Sequence, residues 1–418
     1  MKNKLIGLSL VIGIWLLSGC SVDSLRRATP TPSVPIDLPI KTQGQLRDFD
    51  IATASIQNQY INQKAADAWI SQSNGFRAQV SAGMDDEQFS TMMSVYLGTM
   101  KDIDLSFLRP PSPTSISSTG TTTSTFSGIG IIAGLPVQNS NRLLVMNVLS
   151  GSPAASAGLK PHDSIIQIDG RPVTAEEGAA VLTRLRGPAG SKVTLTVHTP
   201  GRADRDIDVT RGAITAQSTF IYHRVTGTNI GYIQPDGASM DGMRAAISSA
   251  LRDLSSHDTL DGLVLDLRIM QSPDFPVTDL LELFVNGIVG TLQTRTAKTK
   301  IEITGKNIAG SQDLPLVILV SDQTRGTAES FAGMLQDLGR ARIVGTPTKG
   351  RLAIINAITL PNTGAAVLIP AGEYIGIKNT SWYGSGIKPD IPSDKRWEDF
   401  TDDDDAQLQQ AVKALTRP

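Results

Sequence analysis

The stretch Leu316-Val317-Ile318-Leu319-Val320-Ser321-Asp322-Gln323-Thr324-Arg325-Gly326-Thr327-Ala328-Glu329-Ser330-Phe331-Ala332-Gly333-Met334-Leu335-Gln336-Asp337-Leu338-Gly339 decides how the chain is read. Five apolar residues predict a strand, and the turn Ser321 to Glu329 leads into a helix over about 327–338. Phe331, Met334, Leu335 and Leu338 recur at three- and four-residue spacing, so one stripe of that helix faces a core, and Gly339 stops it. A second apolar piece, Ile343-Val344, runs into the turn Gly345-Thr346-Pro347-Thr348-Lys349-Gly350-Arg351. A strand feeding a helix N-terminus aims backbone donors at the turn, where a nucleophile or an anion can be held. No obvious nucleophile stands at its centre.

Upstream, Ile230-Gly231-Tyr232-Ile233, the segment Met240 to Leu254 and Leu263-Val264-Leu265-Asp266-Leu267-Arg268 alternate strand with helix, which predicts an α/β core. The chain has 418 residues, enough for two to four domains, and its net charge of −2 argues against a nucleic-acid partner. Four scattered histidines and a single cysteine indicate no zinc site, and no cofactor is expected.

The run Ala332-Gly333-Met334-Leu335-Gln336-Asp337-Leu338-Gly339-Arg340-Ala341-Arg342-Ile343-Val344-Gly345 resembles the S41 serine peptidases of the C-terminal processing (tail-specific) type. Tyr383-Gly384-Ser385-Gly386-Ile387-Lys388-Pro389-Asp390-Ile391 resembles the closing signature of that fold. In this register Glu329 is the family's Glu, and the resemblance places the nucleophilic Ser on Gly326, the base Lys on Arg351 and the supporting Gln on Ile355. The family's oxyanion Gly pair falls on Ser272 and Pro273, after Asp266-Leu267-Arg268. Glu329 is kept, while the three catalytic positions and the glycine pair are substituted. Asp266 and Arg268 read as a structural ion pair.

Gly128-Ile129-Gly130-Ile131-Ile132, Leu143 to Val148, Ser152 to Gly170 and Leu185-Arg186-Gly187-Pro188-Ala189-Gly190 together resemble a PDZ domain of the bacterial protease-linked type. The resemblance implies that Gly128, Ile129, Gly130 and Ile131 bind a peptide carboxylate, with the next strand offering its edge to the peptide. His162 stands where many relatives have Gly and reads as a solvated loop residue.

Lys2 and Lys4, the apolar run Leu5 to Leu17 and Leu17-Ser18-Gly19-Cys20 read as a signal whose end resembles a bacterial lipobox, making Cys20 the lipidated residue. The expected organisation is a multidomain α+β chain. It has a signal peptide (1–20), a Pro/Ser/Thr tether (21–44), a helical region (45–108), a linker (109–127), a PDZ domain that is β-barrel-like with helices (128–213), an α/β S41 peptidase-like core (214–395) and an acidic, solvated, helical tail (396–418). The protein is placed in the cell envelope, lipid-anchored on the extracytoplasmic side.

Ser/Lys hydrolysis needs an attacking hydroxyl and an amine able to lose its charge. Gly326 has no side chain, and a guanidinium at Arg351 is not a base near neutral pH. Thr327, Ser330 and Lys349 are the neighbours that a relocated site would use. Thr327 is rotated by about 100°, Ser330 lies about 6 Å further in, and Lys349 is displaced by roughly 6.6 Å. Two functions follow: an inactive, membrane-anchored relative that binds polypeptide C-termini or unfolded segments and scaffolds an active protease, or an active serine endopeptidase with a relocated nucleophile and base.

Overall fold

A computed structural model describes residues 33–110, 126–136, 141–214, 220–235, 242–272 and 274–416. The signal segment with Cys20, the first half of the tether, most of the Pro/Ser/Thr linker, Met240 and Pro273 lie outside the described residues.

Leu316–Val320 is a strand buried at every position, because it is covered on both faces. Ile318 and Val320 pack with Leu263, Leu265 and Ile343 beneath the helices Met243–Leu254, Val277–Phe284 and Thr327–Asp337. Val317 and Leu319 point the other way, with Val264 and Val344, against Leu408, Ala411, Val412 and Leu415 of the helix Ala406–Thr416. The sheet runs Ile221–Arg224, Ile230–Gln234, Gly262–Asp266, Leu316–Val320, Ala341–Gly345, Ile391–Pro392, and every pair after the first is parallel. Ligand-bearing turns in such sheets lie at the carboxyl ends of strands, and the turn after Val320 is one of these.

A second sheet orders Ser106–Leu108, Ala366–Gly376, Gly287–Thr294 and Lys298–Ile303, with Ile354–Thr359 also paired to the long strand. The N-terminal helices bury Leu46, Phe49, Ile56, Trp69, Met93 and Tyr96 against Val367 and Ile369 of that sheet. The first helix, Ile40–Gln59, begins inside the segment expected to be tether. Packing of its apolar stripe, and the Asp48 carboxylate accepting from the backbone N–H groups of Asn362 and Thr363, override the Pro-rich composition just upstream.

The PDZ region is a sheet ordered Ile131–Gly134, Leu143–Val148, Ser164–Ile168, Lys192–His198, Arg205–Thr210, with Phe126–Gly128 paired to Gly212–Ile214 beside it. It is fastened to the core by the tail, which corrects two expectations. His162 is not solvated: it is 1% exposed, its Nδ1 lies 2.7 Å from the Trp397 carbonyl and its Nε2 3.0 Å from Asp402 Oδ1. Its ring stacks on Trp397 at 3.8 Å. Nor is the acidic run simply solvated, since Asp405 is buried against Arg268. The reason is aromatic: Trp397 and Phe400 drop into a cluster with Leu144, Met146 and Ile269 and carry the acidic residues in with them.

Candidate active site

The turn after Val320 is fixed from below. Thr324 Oγ1 donates to the Leu267 carbonyl, Ser321 Oγ to that of Arg268, and the Arg325 N–H to that of Met270. Gly326 then adopts φ 70° and ψ −156° as the residue preceding the helix. That backbone region is essentially reserved for glycine. Its N–H donates to the Arg351 carbonyl at 2.6 Å, tying together the two turns on which the resemblance sets the nucleophile and base positions.

Glu329, fully buried in the helix's first turn, accepts from the Gly350 N–H at 2.8 Å and the Arg351 N–H at 2.9 Å. Burial pushes its carboxyl up to about 7, against the hydrogen bonds from Thr348, Gly350 and Arg351. The Arg351 side chain is held by the N-terminal region: Nε meets Asp104 Oδ1 at 3.2 Å and Nη2 donates to the Ile103 carbonyl at 2.9 Å. Burial raises the Asp104 carboxyl and Arg351 opposes it. Asp102, two residues before, accepts from the hydroxyls of Tyr383, at 2.6 Å, and Tyr60. Ile355 is half-buried in a strand, opposite Pro370.

The three candidates for a relocated site do not meet. Thr327 Oγ1 donates to the Phe275 carbonyl at 3.0 Å. The Ser330 hydroxyl is completely buried and finds no partner among the described residues. Lys349 Nζ faces Asp322 Oδ2 at 4.0 Å. Ser272 Oγ accepts from the Asp274 N–H at 3.2 Å.

At the PDZ loop, Gly128 pairs with Gly212, Ile129 is buried and Gly130 holds φ 82°. The Ile129 and Gly130 carbonyls accept from Ala154 and Leu149, while among the described residues their own N–H groups have no acceptor. Ile131 opens the next strand, opposite Val148. Successive N–H groups without an acceptor at a left-handed glycine are the kind of donor pair that can hold a carboxylate.

Beneath both sites lies an ionic knot. Arg268 Nη2 meets Asp266 Oδ2 at 2.6 Å and Asp405 Oδ2 at 2.7 Å, with its guanidinium carbon 5.3 Å from the Trp397 ring centre. Sequence reading paired Asp266 with Arg268 but missed Asp405, Trp397 and the Asp102–Asp104 pair. Two large aromatics within a polar tail were the available signal for the first two.

Residues 229–393 match Peptidase family S41, and residues 144–198 match a PDZ domain. A carboxyl-terminal-processing protease of Picosynechococcus is 32% identical over 293 residues, which is 66% of this chain and 67% of the relative. The chain belongs to the S41 family of C-terminal processing peptidases. A carboxyl-terminal-processing protease of Synechocystis is 29% identical over 346 residues, 79% of this chain and 77% of that protein. The solved structure of a photosystem II D1 C-terminal processing protease shares the fold at a TM-score of 0.60 and 22% identity, covering 84% of this chain and 93% of that one. Within this S41 chain the PDZ match begins at 144, beyond the loop at 128–131.

Proposed function

We propose that this S41 member is a proteolytically inactive, lipid-anchored protein of the cell envelope whose PDZ domain captures polypeptide C-termini and unfolded segments, presenting them to an active protease. The observation that carries it is the pairing of a Gly-only backbone at Gly326 with an Arg351 guanidinium bound to Asp104. Neither an attacking hydroxyl nor a neutral amine occupies the reacting positions, and acyl transfer needs both. The free N–H groups of Ile129 and Gly130 support the binding half. Anchoring rests on Cys20 after Leu17-Ser18-Gly19, and among the described residues no helix is long and apolar enough to cross a membrane.

The test takes detergent-solubilised protein with an unstructured protein substrate, and with peptides ending in a free acid or an amide. The expected result is no cleavage above the uncatalysed rate and binding of the acid form alone, because an amide offers no charge to the backbone donors. Cleavage abolished by Lys349→Ala or Thr327→Ala would establish the relocated site instead. Cys20→Ala should leave the membrane fraction, since acyl chains supply about 0.8 kcal/mol per buried CH₂; unchanged partitioning would remove the anchor from the reading.

A further inference from the structure

We propose that Arg325 recognises an acidic side chain four or five residues from the end of a peptide lying on the free edge of the PDZ strand Ile131–Gly134. This rests on the reading that the PDZ domain captures C-termini. The strand is the outer member of its sheet, paired on one side with Leu143–Val148 and, among the described residues, unpaired on the other. A peptide whose carboxylate sits at Ile129 and Gly130, just before that strand, runs antiparallel to it, so its upstream residues pass Gly134. At about 3.3 Å per residue the strand spans roughly 13 Å, which brings the fourth or fifth ligand residue to its far end.

That far end meets the turn that precedes Gly326. A Cβ placed on Gly134 would stand 2.9 Å from Gln323 Oε1, and the same oxygen accepts from Arg325 Nη2 at 3.1 Å. Gln323 is itself fully buried, its N–H donating to Ser321 Oγ at 3.0 Å. Gln323 thus lies over the sheet face at Gly134, beside Met146 of the paired strand, and the guanidinium is one hydrogen bond from it, on the face to which the side chain of a peptide residue opposite Gly134 projects.

Among the described residues no carboxylate lies within ion-pair distance of Arg325, although Asp322, Glu329 and Asp104 are near enough to act on its charge. Its Nε is buried without an acceptor, and among the described residues it makes no ion pair. The carboxylates around it are engaged elsewhere: Asp104 with Arg351, Glu329 with the Gly350 and Arg351 N–H groups, Asp322 with Gln323 and Lys349. Burial, and then the charge of Arg351, hold the guanidinium below its usual range. A half-buried guanidinium with an open donor gains most from a charge-assisted, forked bond to a carboxylate.

The test measures fluorescence anisotropy of solubilised full-length protein with labelled decapeptides. All carry one apolar C-terminal sequence and a free acid, and they differ only in Glu, Ala or Lys at each of the third to seventh positions from the end. Glu at the fourth or fifth position should bind about tenfold tighter than Ala. Arg325→Glu should move the preference at that position to Lys. Equal binding of Glu, Ala and Lys peptides at every position overturns the proposal, as does a Glu preference that survives Arg325→Glu. If acid-ended peptides bind no better than amide-ended ones, the C-terminus reading itself falls and takes this proposal with it.

Discussion

Glu329 and Gly326 hold the two turns of the site in one arrangement, and each makes a prediction at the scale of a single side chain. The Glu329 carboxyl titrates near 4.5, its ordinary value, in the unfolded chain and at about 7 in the folded one. Between those values the folded chain holds a proton that the unfolded chain has released. The associated stability is therefore present below about pH 4.5 and is lost as pH rises through about 7, a loss of roughly 2 to 3 kcal/mol by pH 8. Glu329→Gln cannot ionise, so urea unfolding at pH 5 and pH 8 should show the variant gaining about 2 kcal/mol relative to wild type at the higher pH. A difference independent of pH would show that the carboxyl is not held up by burial. Gly326→Ser, at φ 70° and ψ −156°, should lose about 1–3 kcal/mol of stability. Combined with Arg351→Lys it should show no peptidase activity, because the hydroxyl arrives on a strained backbone and Pro273, which the resemblance sets at an oxyanion position, has no N–H to donate. Measurable turnover by the double variant would show that the turn is still poised for chemistry.

At the scale of the element, the helix Thr327–Asp337 owes its place to a close approach at Gly333. A Cβ there would stand 2.7 Å from Cε2 of Trp382, an atom of a rigid ring. Helix propensity alone favours Gly333→Ala by about 1 kcal/mol, but overpacking a full core costs typically 1–3 kcal/mol. The clash should win, and thermal unfolding should show a lowered Tm; a raised Tm would mean that Trp382 can move aside. Most of this helix is legible in the sequence, because Phe331, Met334 and Leu335 mark its buried stripe and Gly339, at φ 69°, marks its end. The start of the first helix at Ile40 is not, because it depends on packing against strands more than 300 residues away in sequence, as with Asp48 and Asn362. At the site, the expectation that Gly326, Arg351 and Ile355 stand at catalytic positions comes from register alone, whereas the pairing of Arg351 with Asp104 depends on the N-terminal region folding back. Arg325 is visible as a charge beside Gly326, but that it has no carboxylate at ion-pair distance among the described residues is a property of three dimensions.

Across the whole molecule, Trp397 bridges the PDZ region and the core. Its Nε1 donates to the Val145 carbonyl at 3.0 Å, its ring stacks on His162, and Arg268 lies against its face. His162 holds φ 72°, a conformation uncommon outside glycine, and these contacts keep it there. Trp397→Ala should cost about 3–5 kcal/mol and loosen the PDZ region from the core. Hydrogen exchange along Leu143–Val148 should quicken while the strand Leu316–Val320 stays protected; protection unchanged in both would show that the bridge is dispensable.

The Arg268 knot also orders events in time. The guanidinium's second carboxylate, Asp405, lies 137 residues further along the chain. At a synthesis rate of 5–20 residues per second, roughly 7 to 27 s separate the two. During that interval a nascent chain holds the arginine with Asp266 alone, the sheet face at Val264 and Val317 stays bare of the helix Ala406–Thr416, and His162 has no Trp397 to stack on. The parallel sheet and the fastening of the PDZ region are therefore completed only after the last segment has emerged. A holding chaperone that shields Val264, Val317 and Val344 has that window in which to act.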